Sequence, residues 1–394
     1  MNELKSKRII GLDLHPDVFT AAALTGPEAA TARTEWVHDR QSTLSLEGWA
    51  KRWLRAEDVV VLEASGNSFE VAARLHACGC TAVVLESAQA GKIRDNFCND
   101  DRHSAVKLAR VYLSGLAKAV WQPEAKTREY REVFFAHRNA VCDATRGRNR
   151  IRSFLNEHCV RLKSGVRLTH PSGEASARAA KTWTPLQTDL LAQKFAQLRE
   201  VEARRQQLER IMVRELTANP RWASLWRLMG IRHRVAFALM AMIGDIHRFP
   251  TAKKLVGYFG LAPRKKQSGQ DAEGCELGLG RFGRGDVRAL LLQSSHNALI
   301  QRDSPLHKWG WKLLVKKHRN LSAVAVARKL TVSIWHLLMG HFTPLLEPSK
   351  HLRVKLLKLA TTLGKAALTA AGFPDRDAFV AAQIKSIQSI QLST

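Results

Sequence analysis

The chain has 394 residues, 45% of them hydrophobic and 25% charged, enough to bury more than one core. Lys and Arg number 62 against 35 Asp and Glu, a formal net charge of +27, and such an excess points to a polyanionic partner, nucleic acid above all. No apolar run reaches bilayer length and the N-terminus lacks a signal-peptide core, so the expectation is a cytoplasmic protein with no membrane partner.

Strand and helix signals alternate in the first third. Arg8 to Leu14 reads as a strand, Val18 to Leu24 as its hairpin partner across a turn at His15-Pro16-Asp17, and Ala30 to Val37 as a third strand. Leu44 to Leu54 has helical spacing, Asp58 to Ala64 is a buried β-branched strand, Ser68 to Cys78 is helical, Ala82 to Leu85 is a strand, and a helix follows from about Asp101. Three antiparallel strands followed by alternating helices and strands suit a ribonuclease-H-like sheet; a flavodoxin-like α/β domain competes.

The middle is helical. Tyr130 to Leu162 carries Arg138, Arg146, Arg148, Arg150 and Arg152. Leu186 to Leu216 runs without proline or glycine and reads as a long helix, either a hairpin arm or coiled coil or a helix packed on its own domain. Further on, Leu228 to Arg232 followed by Val235 to Ile243 has the pattern of a helix-hairpin-helix, with Arg232 where a second glycine is usual. Thr251 to Phe259 is a short helix, Gly260 to Arg284 a glycine-rich basic loop or hairpin, and Asp286 to Leu299 and Leu321 to Met339 are helical. The tail beyond Pro348 shows helical patches.

Three carboxylates stand where such a sheet could gather them: Asp13 at the end of the first strand, Glu63 on the fourth, and Asp101 at the start of a helix. Oxygen ligands of this kind suit hard divalent cations, and a pair of metals could clamp a scissile phosphate. Each carboxylate alone is more often a cap or a surface charge. Ser268 sits in Arg264-Lys265-Lys266-Gln267-Ser268-Gly269, with Arg281, Arg284 and Arg288 following. Ser-Gly is common turn chemistry, and the cations alone read as a solvated loop. Fixed cations can also lower the cost of an alkoxide and of extra charge on phosphorus. His15, His103, His233, His247 and His296 lack metal-pair spacing and read as structural or phosphate-facing. Trp309, Trp311 and Trp335 are core residues or stacking surfaces. Six cysteines without paired zinc spacing read as free thiols.

In order and spacing, Ile10-Gly11-Leu12-Asp13, Leu62-Glu63-Ala64-Ser65-Gly66, Asn99 to Ala105, Gly230-Ile231, Phe259 to Arg264, Ser268-Gly269 and Gly283 to Arg288 carry a family likeness. Over almost its whole length the chain resembles the DEDD transposases of insertion-sequence family one-ten, which include the Piv-type DNA invertases. The resemblance implies a RuvC-like (ribonuclease-H-like) metal-binding domain over 1–125, a helical coiled-coil region over 126–220, a mainly helical C-terminal transposase domain with the serine nucleophile over 221–345, and a helical tail over 346–394. It implies that Asp13, Glu63 and Asp101 bind Mg²⁺ and that Ser268 attacks DNA; the cations around that serine, Arg264, Lys265, Lys266, Arg281, Arg284 and Arg288, are then the expected nucleic-acid contacts. A structured bridge RNA and a homodimer or homotetramer are the partners it suggests. One departure stands out: the family's third segment reads Asp-x-x-Asp, and here Ser104 follows Asp101. Two other readings stay open, a Holliday-junction-type nuclease using only the carboxylates, and a nucleic-acid-binding relic impaired at Ser104.

Overall fold

A computed structural model describes residues 8–87, 100–266, 275–280, 282–302, 305–316, 318–341, 343, 345–346 and 349–390; the side chains of 264–266, 275–277, 305 and 349 are outside that description. Two units divide the chain, Met1–Glu124 and Ala125–Thr394.

In the first unit, β1 (Ile9–Leu14), β2 (Val18–Thr25), β3 (Arg33–Ser42), β4 (Val59–Glu63) and β5 (Thr81–Leu85) form one sheet in the order β3-β2-β1-β4-β5. The β1–β2 and β2–β3 pairs are antiparallel, whereas β1–β4 and β4–β5 are parallel. Parallel neighbours need crossovers, supplied here by α1 (Leu46–Trp53) before β4 and α2 (Ser68–Ala77) before β5. Because strand side chains alternate, Ile10, Leu12, Val60 and Leu62 bury one face under Leu46, Val71 and Leu75. Ile9, Val59 and Val61 bury the other face under Ala105, Leu108 and Ala109 of α3 (Asp101–Leu113). This mixed architecture fits a ribonuclease-H-like domain; the antiparallel β3-β2-β1 half departs from a flavodoxin-like parallel sheet.

The third strand lies further along than its apolar residues suggest, at Arg33–Ser42 rather than 30–37. It is an edge strand with one paired side, so backbone pairing with β2 carries the polar run His38-Asp39-Arg40-Gln41. A register shift between Phe19 and Ala21 falls in the same place, where Arg40 takes a φ of 47°. Just before β1, Arg8 holds the fully buried Asp58 with two bonds of 3.1 and 2.6 Å. Removing either partner of such a buried pair costs about 3–5 kcal/mol.

The second unit opens with two helices of 33 residues each, α4 (Ala125–Glu157) and α6 (Pro185–Thr217), joined through α5 (Pro171–Ala179). They run antiparallel. Phe154 and Leu155 meet Leu191 and Phe195 in one cluster, and Phe134 joins Met212 and Val213 in another. Thr184 starts α6 with a capping box to Gln187. Then come α7 (Pro220–Ala223), α8 (His233–Ile243), α9 (Ala252–Tyr258), an antiparallel hairpin of β6 (Pro263–Lys266) and β7 (Cys275–Leu279), α10 (Gly285–Ile300), α11 (Pro305–Lys316), α12 (Arg319–Leu338), α13 (Ser349–Leu363), α14 (Lys365–Ala370) and α15 (Arg376–Gln388).

Residues Val235–Ile243 of α8 are all buried at the centre of this unit. Ahead of α8 stand only the four-residue α7 and a 3-10 turn, Ser224–Arg227. Gly230 has a φ of 75°, and a Cβ there would lie 2.7 Å from the Ser294 carbonyl oxygen, so this glycine lets the turn press on α10. The tail is integral: Leu352, Leu356, Leu359 and Phe379 enter the same core, and Lys355 Nζ donates to the carbonyls of Trp226 and Leu228. By length and composition alone, one described helix, α12, is long and apolar enough to cross a membrane. Its leucines, valines, alanines and Ile334 keep the mean hydropathy high, while Arg328-Lys329 interrupts the apolar run. More than half of it is buried inside the unit, and Trp335 Nε1 donates to the Phe249 carbonyl at 2.9 Å.

Candidate active site

Ile9, Gly11 and Asp13 share the face of β1 that α3 covers, and Val59, Val61 and Glu63 share the same face of β4. The parallel register pairs Leu12 with Leu62, which sets Asp13 and Glu63 side by side one step further on. Gly11 determines how close α3 can come. A Cβ there would lie 1.9 Å from the Ala105 carbonyl oxygen and 2.9 Å from the Ala109 nitrogen, so the helix backbone rests directly on the strand. Asp101 is one turn before Ala105 and Asp13 is two residues after Gly11, so this contact aims both carboxylates at one point.

They do converge. Donor atoms of Asp13, His15 and Asp101 all lie within 4.8 Å of one another. His15 Nε2 is 3.9 Å from Asp13 Oδ2 and 3.5 Å from Asp101 Oδ1. Glu63 stands beside Asp13 in the sheet but outside that tight group. His15 is the residue that pair-spacing arguments passed over. Its signal was its place in the tight turn two residues beyond Asp13, held by His15 N–H to the Val18 carbonyl at 2.9 Å. Asn67 Nδ2 donates to the His15 carbonyl at 3.0 Å, which ties this turn to the loop after β4.

Arg102, the second residue of α3, reaches across to Asp39 on β3 with Nε to Oδ2 at 2.9 Å, and Thr20 Oγ1 donates to Asp39 Oδ1 at 3.0 Å. Thr20 lies opposite Asp13 in the β1–β2 register. The Arg102 bond first, and the Thr20 bond after it, hold the Asp39 carboxyl below the usual carboxylate range. The first turn of α3 is therefore clamped to the sheet beside the carboxylates. Asp100 takes another part. It caps α3, accepting from His103 N–H at 2.7 Å and meeting His103 Nδ1 at 2.8 Å, and these bonds lower its pKa. Asp100 thus lies outside the helix and turns to His103, while Ser104 stands half-buried in the first turn, three residues after Asp101.

Two carboxylates with an imidazole edge form a donor set that fits a divalent cation: the oxygens suit Mg²⁺, and the nitrogen adds affinity for Mn²⁺.

In the second unit, β6 and β7 pair Arg264 with Leu277 and Lys266 with Cys275, enclosing residues 267–274. Ser268 and Arg281 lie outside the described residues, as do the side chains of Arg264, Lys265 and Lys266. The base of the hairpin is described. Gly260 (φ 65°) and Gly283 (φ 87°) face each other, and a Cβ on Gly283 would lie 2.6 Å from the Gly260 nitrogen. Arg288 Nη1 donates to the carbonyls of Gly260 at 3.2 Å and Gly280 at 2.7 Å, so it braces the base of the hairpin. Arg284 Nη2 pairs with Asp286 Oδ2 at 2.7 Å. Of the tryptophans, Trp335 is core, Trp309 lies under Lys329 at 4.5 Å, and Trp311 is exposed. Among the described residues Cys78, Cys80, Cys142 and Cys159 are free thiols, and burial pushes Cys80 up.

Residues 10–160 match the family model DEDD_Tnp_IS110, described as a transposase, and residues 223–309 match the one described as Transposase IS116/IS110/IS902 family. Among curated proteins, the chain is 23% identical over 341 residues to the "Transposase for insertion sequence element IS1111A" of Coxiella burnetii, covering 85% of this chain and 90% of that one. It is 25% identical over 291 residues to a "Probable family 20 transposase" of Pseudomonas aeruginosa, covering 71% and 83%. The "Putative transposase y4qE" of Sinorhizobium fredii aligns at 24% identity over 266 residues, 60% of this chain and 63% of that relative's length. The two matched segments follow in order along one chain, the first holding Asp13, Glu63 and Asp101 and the second Ser268, and the chain belongs to the IS110 family of DEDD transposases.

Proposed function

We propose that this chain is the transposase of an insertion sequence, cutting and rejoining DNA with Asp13, Glu63 and Asp101 holding Mg²⁺ and Ser268 as nucleophile. The convergence of Asp13 and Asp101, within 4.8 Å of each other and of His15, carries the reading. A bound cation would neutralise charge on the scissile phosphate. The serine supplies the covalent step. Its Oγ bonds to phosphorus, the bond from phosphorus to a sugar oxygen breaks, the serine proton passes to a base, and the departing sugar oxygen takes up a proton. The resulting phosphoserine ester keeps the energy of the broken bond, so a DNA hydroxyl can reverse the step and rejoin the strand without ATP. The long helices α4 and α6 serve as the arm that brings copies together as a dimer or tetramer, the turn before α8 serves as the helix-hairpin-helix-like phosphate contact, and a bridge RNA selects the donor and target DNA.

The test is a DNA duplex carrying the element's end, incubated with Mg²⁺ or Mn²⁺ and then denatured. A DNA-linked peptide containing Ser268 is expected, lost in Ser268→Ala and in Asp13→Asn. Cleavage that survives Ser268→Ala with no covalent adduct would replace this reading with a nuclease that uses water. The relic reading has its own observation, Ser104 in place of an acid with Asp100 turned to His103. Ser104→Asp restoring an activity absent from the natural chain would favour it.

A further inference from the structure

The outward side of α11 carries a single row of side chains. Lys308, Trp311, Lys312, Val315 and Lys316 stand at i, i+3, i+4, i+7 and i+8, so they line one face of the helix. All five are exposed, Trp311 at 58% and Val315 at 78%. The other side is seated in the unit. Leu306 and Gly310 are buried there, and a Cβ on Gly310 would lie 2.3 Å from Leu299 Cδ2 of α10 and 3.2 Å from Val326 Cγ2 of α12, so the helix lies close against both neighbours. We propose that the outward face is a stacking platform for an unpaired base of DNA, with Trp311 under the base and Lys308 and Lys312 at its flanking phosphates.

A lone exposed apolar residue is ordinary, but this one is set in place. His307, one turn before Trp311, is half-buried, and its Nδ1–H donates to the Leu299 carbonyl at 2.6 Å. The imidazole held in this way lies against the indole, with ring centroids 5.6 Å apart and planes tilted by 31°. A ring already oriented loses little freedom when a base settles on it. Charge identifies the partner. Residues 304–346 include no Asp or Glu, while Lys308, Lys312 and Lys316 share the face of the tryptophan. Lysine is depleted in protein–protein interfaces, and one tryptophan with one valine offers too little apolar area to seat a second chain or a membrane. A nucleic-acid strand complements the row on both counts, with a flat base for the indole and phosphates for the ammonium groups on either side. Inside a duplex both faces of each base are covered by its neighbours, so the platform selects an unpaired base. DNA is the nucleic acid a transposase handles, and exchanging its strands leaves bases without partners, which is why the base is assigned to DNA.

The inference rests on the DNA-recombination reading, and its test separates the two. The full chain is titrated by fluorescence anisotropy with a short labelled single-stranded DNA, with the matching duplex, and with an RNA strand of the same sequence, each across a KCl series. Trp311→Ala is expected to weaken single-stranded DNA binding about 5- to 150-fold while duplex affinity stays within about twofold. Trp311→Phe, which keeps a π-face, should stay within about threefold of the natural chain. The salt dependence tells stacking from charge. Trp311→Ala should leave the slope of log Kd against log[KCl] unchanged, whereas Lys312→Gln should reduce it by about 0.7 on a single strand. Equal loss on duplex and single strand would overturn the stacking role. So would an unchanged single-strand Kd in Trp311→Ala, and a covalent Ser268 adduct formed by the natural chain would then leave the recombination reading standing. Loss confined to the RNA strand would overturn the DNA assignment, and a changed oligomeric state by light scattering with DNA affinity intact would give the face to a second copy instead. A natural chain that binds neither form of DNA and yields no Ser268 adduct would sink this site and the function together.

Discussion

Gly11→Ala is the sharpest test of how the carboxylates are brought together. The new methyl would sit 1.9 Å from the Ala105 carbonyl oxygen and 2.9 Å from the Ala105 carbonyl carbon and the Ala109 nitrogen, all of them backbone atoms. A side chain could swing away, but a helix backbone has to move as a body. Restoring contacts of roughly 3.0–3.4 Å requires α3 to lift by about 1–1.5 Å, and overpacking of this kind costs about 1–3 kcal/mol. In thermal melting that corresponds to a loss of roughly 4–12 °C in the transition of the first unit. The same lift carries Asp101 away from Asp13, so Mn²⁺ affinity measured by electron paramagnetic resonance titration should fall about 10–100-fold. Gly66→Ala is the control. It lies in the loop after β4, its added Cβ would meet nothing within 4 Å, and its φ is not positive. That variant should melt within about 0.5 kcal/mol of the natural chain, or slightly above it. If Gly11→Ala melts and binds Mn²⁺ as the natural protein does, α3 does not rest on β1 as described and the account of the site fails.

Three further outcomes follow from the same geometry. Asp39→Asn should change stability little, since the pair lies near the surface with Arg102 exposed and Asp39 half-buried, yet weaken Mn²⁺ binding about tenfold by loosening the Arg102 clamp; an unchanged affinity by calorimetry would remove Asp39 from the positioning network. Ser104→Asp places a carboxylate one helical turn from the N-cap, where the helix end favours negative charge, and Mn²⁺ binding should tighten several-fold; no gain would mean that position 104 does not face the cation. In the second unit, burial lowers His233 to about 4, so between pH 6.5 and 4 the unfolded chain binds the extra proton and stability falls as pH falls, by at most about 3 kcal/mol. Burial alone would raise Glu209, but the bond from His137 and the charges of Arg234 and Arg205 outweigh it and bring it to about 2, extending the loss below pH 4.5. Urea midpoints across this range should show the decline, and His233→Gln should flatten its upper part; a midpoint constant from pH 6.5 to 4 would contradict the buried neutral imidazole.

Most of the sheet was legible because β-branched runs such as Val59–Glu63 report burial on both faces and need no partner to be recognised. The edge strand was displaced for the converse reason. Backbone pairing to β2 carries His38 to Gln41, and a chain read residue by residue does not show which strand will be an edge. The helix α11 was missed although Pro305 at its first position is a start signal. The tail's Leu352, Leu356 and Leu359 have helical spacing, but only the fold shows that they enter the core with Phe379.

The site divides along the same line. Residue types that can hold a cation are visible in sequence, and the family likeness says which of them belong together. What sequence does not carry is the approach of backbone to backbone that makes them meet. Gly11 decides the carboxylate site and has no side chain to advertise it; Gly260 and Gly283 decide the base of the hairpin in the same way. Charge alone does not tell a brace from a phosphate contact. Arg288 reads as a phosphate contact among neighbouring cations, yet its guanidinium closes onto the Gly260 and Gly280 carbonyls. Arg131 and Arg248 attract no notice in sequence, and they stand with Arg284 around a single helical turn. A basic chain therefore declares that it has a polyanionic partner well before it declares where. The arginines that touch phosphate have to be separated by geometry from those that hold carbonyls, as Arg131, Arg248 and Arg288 do.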